Sequence, residues 1–271
     1  MTNVHWSAEE NNILIENYAK IDLNDILLLL PKRTLSGIWN HARLLNLTKR
    51  YDIRSYNEHV FDDWTEESAY WLGFLYADGN MAKCYQSISL ELADKDYDHI
   101  CKFRDWIAPG AIIYKKDARH TSTMRVNNIY IYNKLLELGM FPNKSNKIGF
   151  PISLPEEFYN HFVRGVYDGD GCTSLSNPDK RLRADLVASH IFMVKLQEIL
   201  VGKIDFVIGY QKSKNCLLSR VGFYAKKANI FLKWLYNDAH IFLERKKSKF
   251  DEYNKYQEQL HGVDLFEKRL R

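Results

Sequence analysis

The sequence predicts an α+β protein, two like halves of helix and strand behind a small all-α segment. Three observations carry this. A short motif ending in Asp-Gly occurs twice, 92 positions apart. Each copy is followed by runs that alternate polar and apolar residues, as half-buried strands do. The first fifty residues show helical spacing instead. Length and composition agree: 271 residues, 46% apolar and 27% charged, make one large domain or two ordinary ones. No run approaches the ~18 uninterrupted apolar residues of a membrane helix, and the start, MTNVHWSAEE, has no apolar signal core. Cys84, Cys101, Cys172 and Cys216 lie too far apart for a zinc site or a disulfide framework and read as packing residues. An intracellular, cytoplasmic location is therefore expected.

Residues 1–48 predict three short helices. Ser7 and Glu10 have capping-box spacing, with Ile13, Leu14 and Tyr18 on the buried side and Trp6 beneath the start. A second helix covers about 23–30 and stops at Pro31. Thr34 caps a third, whose Leu35, Ile38, Ala42 and Leu45 share one face. Its other side carries Ser36, Asn40 and Arg43, flanked by Arg33, Lys49 and Arg50. W-S-x-E-E, LPKRT and ARLLNL resemble Myb/SANT-like domains, which implies a helix-turn-helix with its third helix on DNA. Arg33 and Arg43 suit phosphate and Asn40 a base edge; protein binding is the other use of such modules. Residues 49–62 read as a basic linker.

The repeat pairs AYWLGFLYADG (69–79) with FVRGVYDGDG (162–171). Gly73 matches Gly165, Asp78 matches Asp170, and Gly79 matches Gly171. Thr65 opens the first helix, Ser153 with Glu156 forms a capping box for the second, and each Gly is expected in a left-handed turn at the helix end. Gly73/Ala77 and Gly165/Gly169 are small residues four apart, so the two helices can meet nearly backbone to backbone. That contact places Asp78 and Asp170 side by side at two negative helix ends, where their repulsion calls for cations. Oxygen ligands there favour Mg²⁺ shared with substrate phosphates.

The paired words, Trp71–Gly79 and Val163–Gly171, resemble LAGLIDADG homing endonucleases in their single-chain, two-motif form. The resemblance spans roughly 61–250. It implies halves at 63–152 and 153–250, each of order αββαββα, whose curved sheets form a saddle over DNA; residues 251–271 are left as a helical tail. It further implies that Asp78 and Asp170, with the backbone at Gly79 and Gly171, hold Mg²⁺ or Mn²⁺ and that the cuts are staggered with short 3′ overhangs. A lysine beside each acid is also implied: Lys144, with Lys147 as competitor, and Lys246, with Lys247. Glu91 matches a polar position bordering the metal site, and its counterpart is Asp185 or Ser189.

Along the halves, 87–92, 111–116 and 121–132 alternate as strands, with helices at 95–107 and 133–139. The second half has strands around 172–188 and 204–225 and a helix at 191–201. Candidate DNA contacts on the first sheet are Lys83, Gln86, Lys115, Lys116, Arg119 and Arg125. On the second they are Lys180, Arg181, Arg183, Lys212, Lys214 and Arg220. The charge pattern agrees: 31–56 carries +5, 110–150 carries +5 and 201–250 carries +8, with acidic stretches between. The expected function is a monomeric, site-specific double-strand DNA endonuclease. The alternative is a non-cleaving binder of nucleic acid, such as a maturase on its host intron RNA.

Overall fold

Ser7 accepts from the Glu10 amide and Glu10 reaches back to the Ser7 amide, so the first helix, α1 (Ala8–Asn17), begins in the expected capping box. α2 (Leu23–Leu29) and α3 (Leu35–Leu44) follow, and Thr34 caps α3 through the Gly37 amide. Leu14, Tyr18, Ile26, Leu30, Ile38 and Ala42 form a small core. Leu35 is not part of it: at the first turn of α3 it stands 42% exposed. These helices lie in one compact unit, Met1–Ser55; Tyr56–Arg271 is the other. This computed structural model describes residues 5–18, 21, 23–47, 56–145, 147–178, 180–213 and 216–269.

The larger unit runs α4 (Glu66–Asp78), β1 (Gly79–Ala82), β2 (Ser87–Ala93), α5 (Tyr97–Ile107), β3 (Tyr114–Lys116), β4 (Thr121–Val126) and α6 (Ile129–Glu137). The order then recurs as α7 (Tyr159–Asp170), β5 (Gly171–Ser176), β6 (Arg181–Ala188), α8 (His190–Leu200), β7 (Gly209–Ser213), β8 (Cys216–Tyr224) and α9 (Lys226–Tyr236). A long helix, α10 (Glu244–Arg269), follows. It passes residue 250 without a break, so 251–269 continues it. The sheets are antiparallel, ordered β1-β2-β4-β3 and β5-β6-β8-β7. Registers agree as well: Gly79 faces Leu90 in one sheet and Gly171 faces Leu186 in the other. Among the described helices none is long and apolar enough to cross a membrane.

Four local expectations change. Residues 129–132 are helix, because Asn128 accepts from the Ile131 amide and caps α6, which buries Ile131, Tyr132 and Leu135. α7 does not start in the Ser153–Glu156 box; a 3-10 turn at Glu156–Phe158 intervenes after Pro155, and Phe158 gives no side-chain cap. Gly79 and Gly171 are extended, at φ −74° and −86°, because each helix runs straight into a strand. What needs glycine there is closeness: a Cβ would stand 2.6 Å from the Leu75 or Tyr167 carbonyl oxygen. Finally, Cys84 and Cys172 are exposed and Cys101 is half-buried, so these three do not fill the core.

Candidate active site at two helix ends

α4 buries every residue from Ser68 to Tyr76 and α7 every residue from Phe162 to Asp168. Their contact obeys the shift of the sequence repeat. A Cβ on Gly73 would stand 2.0 Å from the Phe162 carbonyl oxygen, and one on Gly165 would stand 2.0 Å from that of Tyr70. Tyr70 and Phe162 are themselves 92 apart, so each helix meets the other through the same two positions of the repeat. One turn on, a Cβ on Gly169 would lie 2.3 Å from the Ala77 Cβ and 3.2 Å from Oδ2 of Asp78. The small-residue steps thus bring Asp78 against the end of α7, next to Asp170.

Each helix end also holds a buried ammonium. Lys144, 7% exposed, donates to the Ala77 carbonyl at 3.0 Å. Lys246, 2% exposed, donates to the carbonyls of Tyr167, Asp168 and Gly169 at 2.7, 2.6 and 3.1 Å. The last carbonyls of a helix lack partners and carry its negative pole, so a cation there is doubly favoured. This revises the electrostatic expectation: the protein's own lysines already ease the repulsion at the helix ends. The competing lysines sit elsewhere. Lys147 is exposed, and Lys247 pairs with Asp251 at 2.8 Å.

The four charges act on one another. Burial raises the Asp78 carboxyl, and Lys246 and Lys144 oppose that rise. Asp170 is pushed up to about 6, first by burial and then by the charge of Asp78. Both acids are nevertheless exposed residues, so water screens their repulsion. Burial lowers Lys144 and brings Lys246 down to about 8. Among the described residues no three His, Cys, Asp or Glu side chains form a metal cage. Two carboxylates fit Mg²⁺, a cation that takes one or two such ligands and completes its shell with water and substrate phosphates.

A pH dependence follows. Only ionised Asp170 can bind a cation, so Mg²⁺ affinity measured by calorimetry should climb from about pH 5 to pH 7 and then level. A flat profile over that range would show that Asp170 takes no part. The effect on stability has the opposite sign: a carboxyl raised above its ordinary 3.8 favours the folded state at low pH and loses that contribution as pH rises through about 6.

Sequence reasoning missed the buried network behind these ends. Asp168, 1% exposed, accepts from Tyr70, Tyr236 and the Leu243 amide at 2.9, 2.6 and 2.7 Å. Burial pushes its carboxyl up and those donors hold it against the push. Arg164, fully buried, bonds Glu66 at 2.6 Å and the carbonyls of Leu235 and Ile241, while Glu66 also accepts from the His240 amide. Together these contacts fasten the segment leading into α10, and with it Lys246. The signal was two opposite charges four residues apart, Arg164 and Asp168, with only apolar residues and glycine between them.

The sheets sort the remaining candidates. Paired residues share a face, and Ser89, Glu91, Thr121, Thr123 and Arg125 line the polar one. Lys116 lies there too and bonds Glu91 at 2.5 Å; Thr121 donates to Glu91 at 2.8 Å. Lys115, one residue away, must take the other face, and its ammonium stands over the Tyr97 ring at 4.8 Å. It therefore leaves the polar face. Glu91 corresponds by register to Val187, so neither Asp185 nor Ser189 is its counterpart. Lys83, Gln86 and Arg119 are exposed in turns, and Lys180 pairs with Glu252 at 2.6 Å. Arg181, Arg183 and Arg220 are on the polar face of the second sheet. In the small unit Ser36, Asn40 and Arg43 are exposed. Arg33 instead turns inward, bonding Glu10 at 2.6 Å and covering the Trp6 ring at 4.3 Å. Lys49, Arg50 and Lys214 lie outside the described residues, as does the side chain of Lys212.

No family model and no curated protein matches this chain. Solved structures similar to it include the I-LtrWI LAGLIDADG homing endonuclease bound to target DNA, at 13% identity and TM-score 0.48, covering 74% of this chain and 93% of that one. The LAGLIDADG meganuclease I-AabMI bound to uncleaved DNA is 12% identical with TM-score 0.46, covering 74% and 92%. The homing endonuclease I-WcaI bound to its DNA recognition sequence is 16% identical with TM-score 0.46, covering 75% and 96%. At these values they are similarities of chain course, and the chemistry of the two helix ends has to follow from their own residues.

Proposed function

We propose that this chain is a site-specific DNA endonuclease that cuts both strands of a duplex with Mg²⁺ or Mn²⁺ held by Asp78 and Asp170. One observation carries the reading: a helix contact through matching repeat positions delivers two carboxylates to one place, each next to a buried lysine. A duplex has two antiparallel backbones related by a local twofold, so two like acids in one chain match two phosphates. A monomer suffices. When bound, the cation supplies charge stabilisation at the scissile phosphate and lowers the pKa of an attacking water. The protein's share is position. Asp78 and Asp170 face the phosphates from the helix ends, and the backbone at Gly79 and Gly171 leads each acid directly into a strand. Lys144 and Lys246, engaged by carbonyls, set the local charge and keep the helix ends in place. The polar strand faces hold the duplex, and α3 takes flanking DNA through Asn40 and Arg43.

The test is direct. Cleaved ends from a randomised duplex library incubated with the full chain should share a sequence in Mg²⁺ and vanish in EDTA. A library left uncut at any Mg²⁺ concentration would remove the reading. Within it, Arg43→Ala should weaken binding of the selected site and lower the slope of log K against log salt by about 1, as for one phosphate contact. The cut position should stay fixed, since Arg43 lies in a different unit from the acids. An unchanged salt slope would mean that α3 binds something other than DNA.

A further inference from the structure

On the polar face of the second sheet, one carboxylate holds two guanidiniums. Asp185 meets Arg183 twice, Oδ2 to Nε at 2.5 Å and Oδ1 to Nη2 at 2.8 Å, and meets Nη2 of Arg220 at 3.0 Å with the same Oδ1. Register explains the convergence. Asp185 faces Gly222, Arg183 faces Tyr224 and Arg220 faces Val187, so all lie on one face of neighbouring strands. Gly222 makes the room, since a Cβ there would sit 3.1 Å from the bridging oxygen. The Tyr224 ring supports the Arg183 guanidinium at 4.9 Å. Side-chain exposure is 12% for the acid and 39% and 44% for the arginines. The carboxylate is thus spent on holding the arginines, which face outward.

This arrangement differs from a set of surface arginines for phosphate, which needs no fixed orientation. A guanidinium carries five N–H donors in a rigid fork. Nη1 of Arg183, and Nη1 and Nε of Arg220, have no partner among the described residues. Both Nη2 atoms bond one oxygen, at 2.8 and 3.0 Å, so they are at most 5.8 Å apart. That is less than two steps of the ~3.4 Å rise along a DNA strand. Guanine offers N7 and O6 in the major groove, the edge that an oriented arginine fork reads, and that groove admits β-strands. We infer that Arg183 and Arg220, oriented by Asp185, read two neighbouring guanines in the half-site under the second sheet.

Register adds an asymmetry. With Gly79 matched to Gly171, the positions of Arg183, Asp185 and Arg220 correspond in the first sheet to Ser87, Ser89 and Thr123. The guanine pair therefore belongs to one half-site only, and the target is not a palindrome. Asp185 is a positioning residue: it acts through the arginines.

The inference rests on the reading of the chain as a DNA endonuclease, and one experiment separates the two. The full chain is bound to a randomised duplex DNA library in Ca²⁺, with a random RNA pool in parallel, and retained molecules are sequenced. Wild type should enrich DNA with two adjacent guanines on one side of the centre. Arg183→Lys and Arg220→Lys keep the charge and should each relax one guanine by about 10-fold while leaving the other positions alone. Asp185→Asn, nearly unchanged in shape, should relax both. Unchanged base preference with a uniform fall in affinity would make these arginines phosphate contacts and overturn the inference alone. Enrichment of RNA only, or of no duplex, would overturn the underlying reading as well.

Discussion

Asp170→Asn is expected to abolish double-strand cleavage of the selected site in Mg²⁺ while leaving binding of the uncut duplex within a few-fold of wild type. Asp78→Asn should do the same. Asn keeps the shape and removes the charge that a divalent cation needs, and most affinity comes from phosphate contacts elsewhere. Loss should exceed about 10³-fold, since the cation's charge stabilisation is worth several kcal/mol of the barrier. Neither variant should unfold the protein, because both acids are at helix ends open to solvent. The decisive comparison is cleavage against binding on the same DNA. Full cutting by either variant would remove that residue from the mechanism, and lost binding would make it a DNA contact.

Gly165→Leu is expected to destabilise the fold by about 3 kcal/mol or more, with even Gly165→Ala measurable. The atoms a Cβ would meet are the Tyr70 carbonyl oxygen at 2.0 Å and the Phe74 amide nitrogen at 2.7 Å, both backbone, so no rotamer change can make room. Gly110 is the control: a Cβ there meets nothing within 4 Å, although its φ of +78° strains any side chain locally. Denaturant melts with an unchanged midpoint for Gly165→Leu would contradict the helix contact.

Much of this was legible in the sequence, for a physical reason. A glycine that must vanish into a neighbour's backbone, followed by an acid and a second glycine, is a constraint on a few consecutive residues, and it occurs twice. The strands showed through their period of two, and α1 and α3 through their caps. What stayed hidden depends on distance or register. β1 has only four residues, too few to show alternation. The Asn128 cap that turns 129–132 into helix competes with a β-branched, aromatic run that reads equally well as strand. Lys115 and Lys116 could not be separated until pairing assigned their faces. The hydrogen bonds of Asp168 and Glu66 join residues 68 or more apart, and their one local trace is the four-residue spacing of Arg164 and Asp168. Arg33, in the turn before α3, read as a DNA contact because its partner Glu10 lies 23 residues earlier on α1.

The seam between α4 and α7 also governs how the chain comes apart. Two like halves could in principle unfold separately, as beads do. Here the most buried helix of each half has the other half's helix as its wall, so neither keeps an intact interior alone. Denaturation of Tyr56–Arg271 should therefore be a single cooperative transition despite the internal repeat. Refolding should be slow for the same reason, since the seam joins segments about 90 residues apart and closure of that loop precedes its reward.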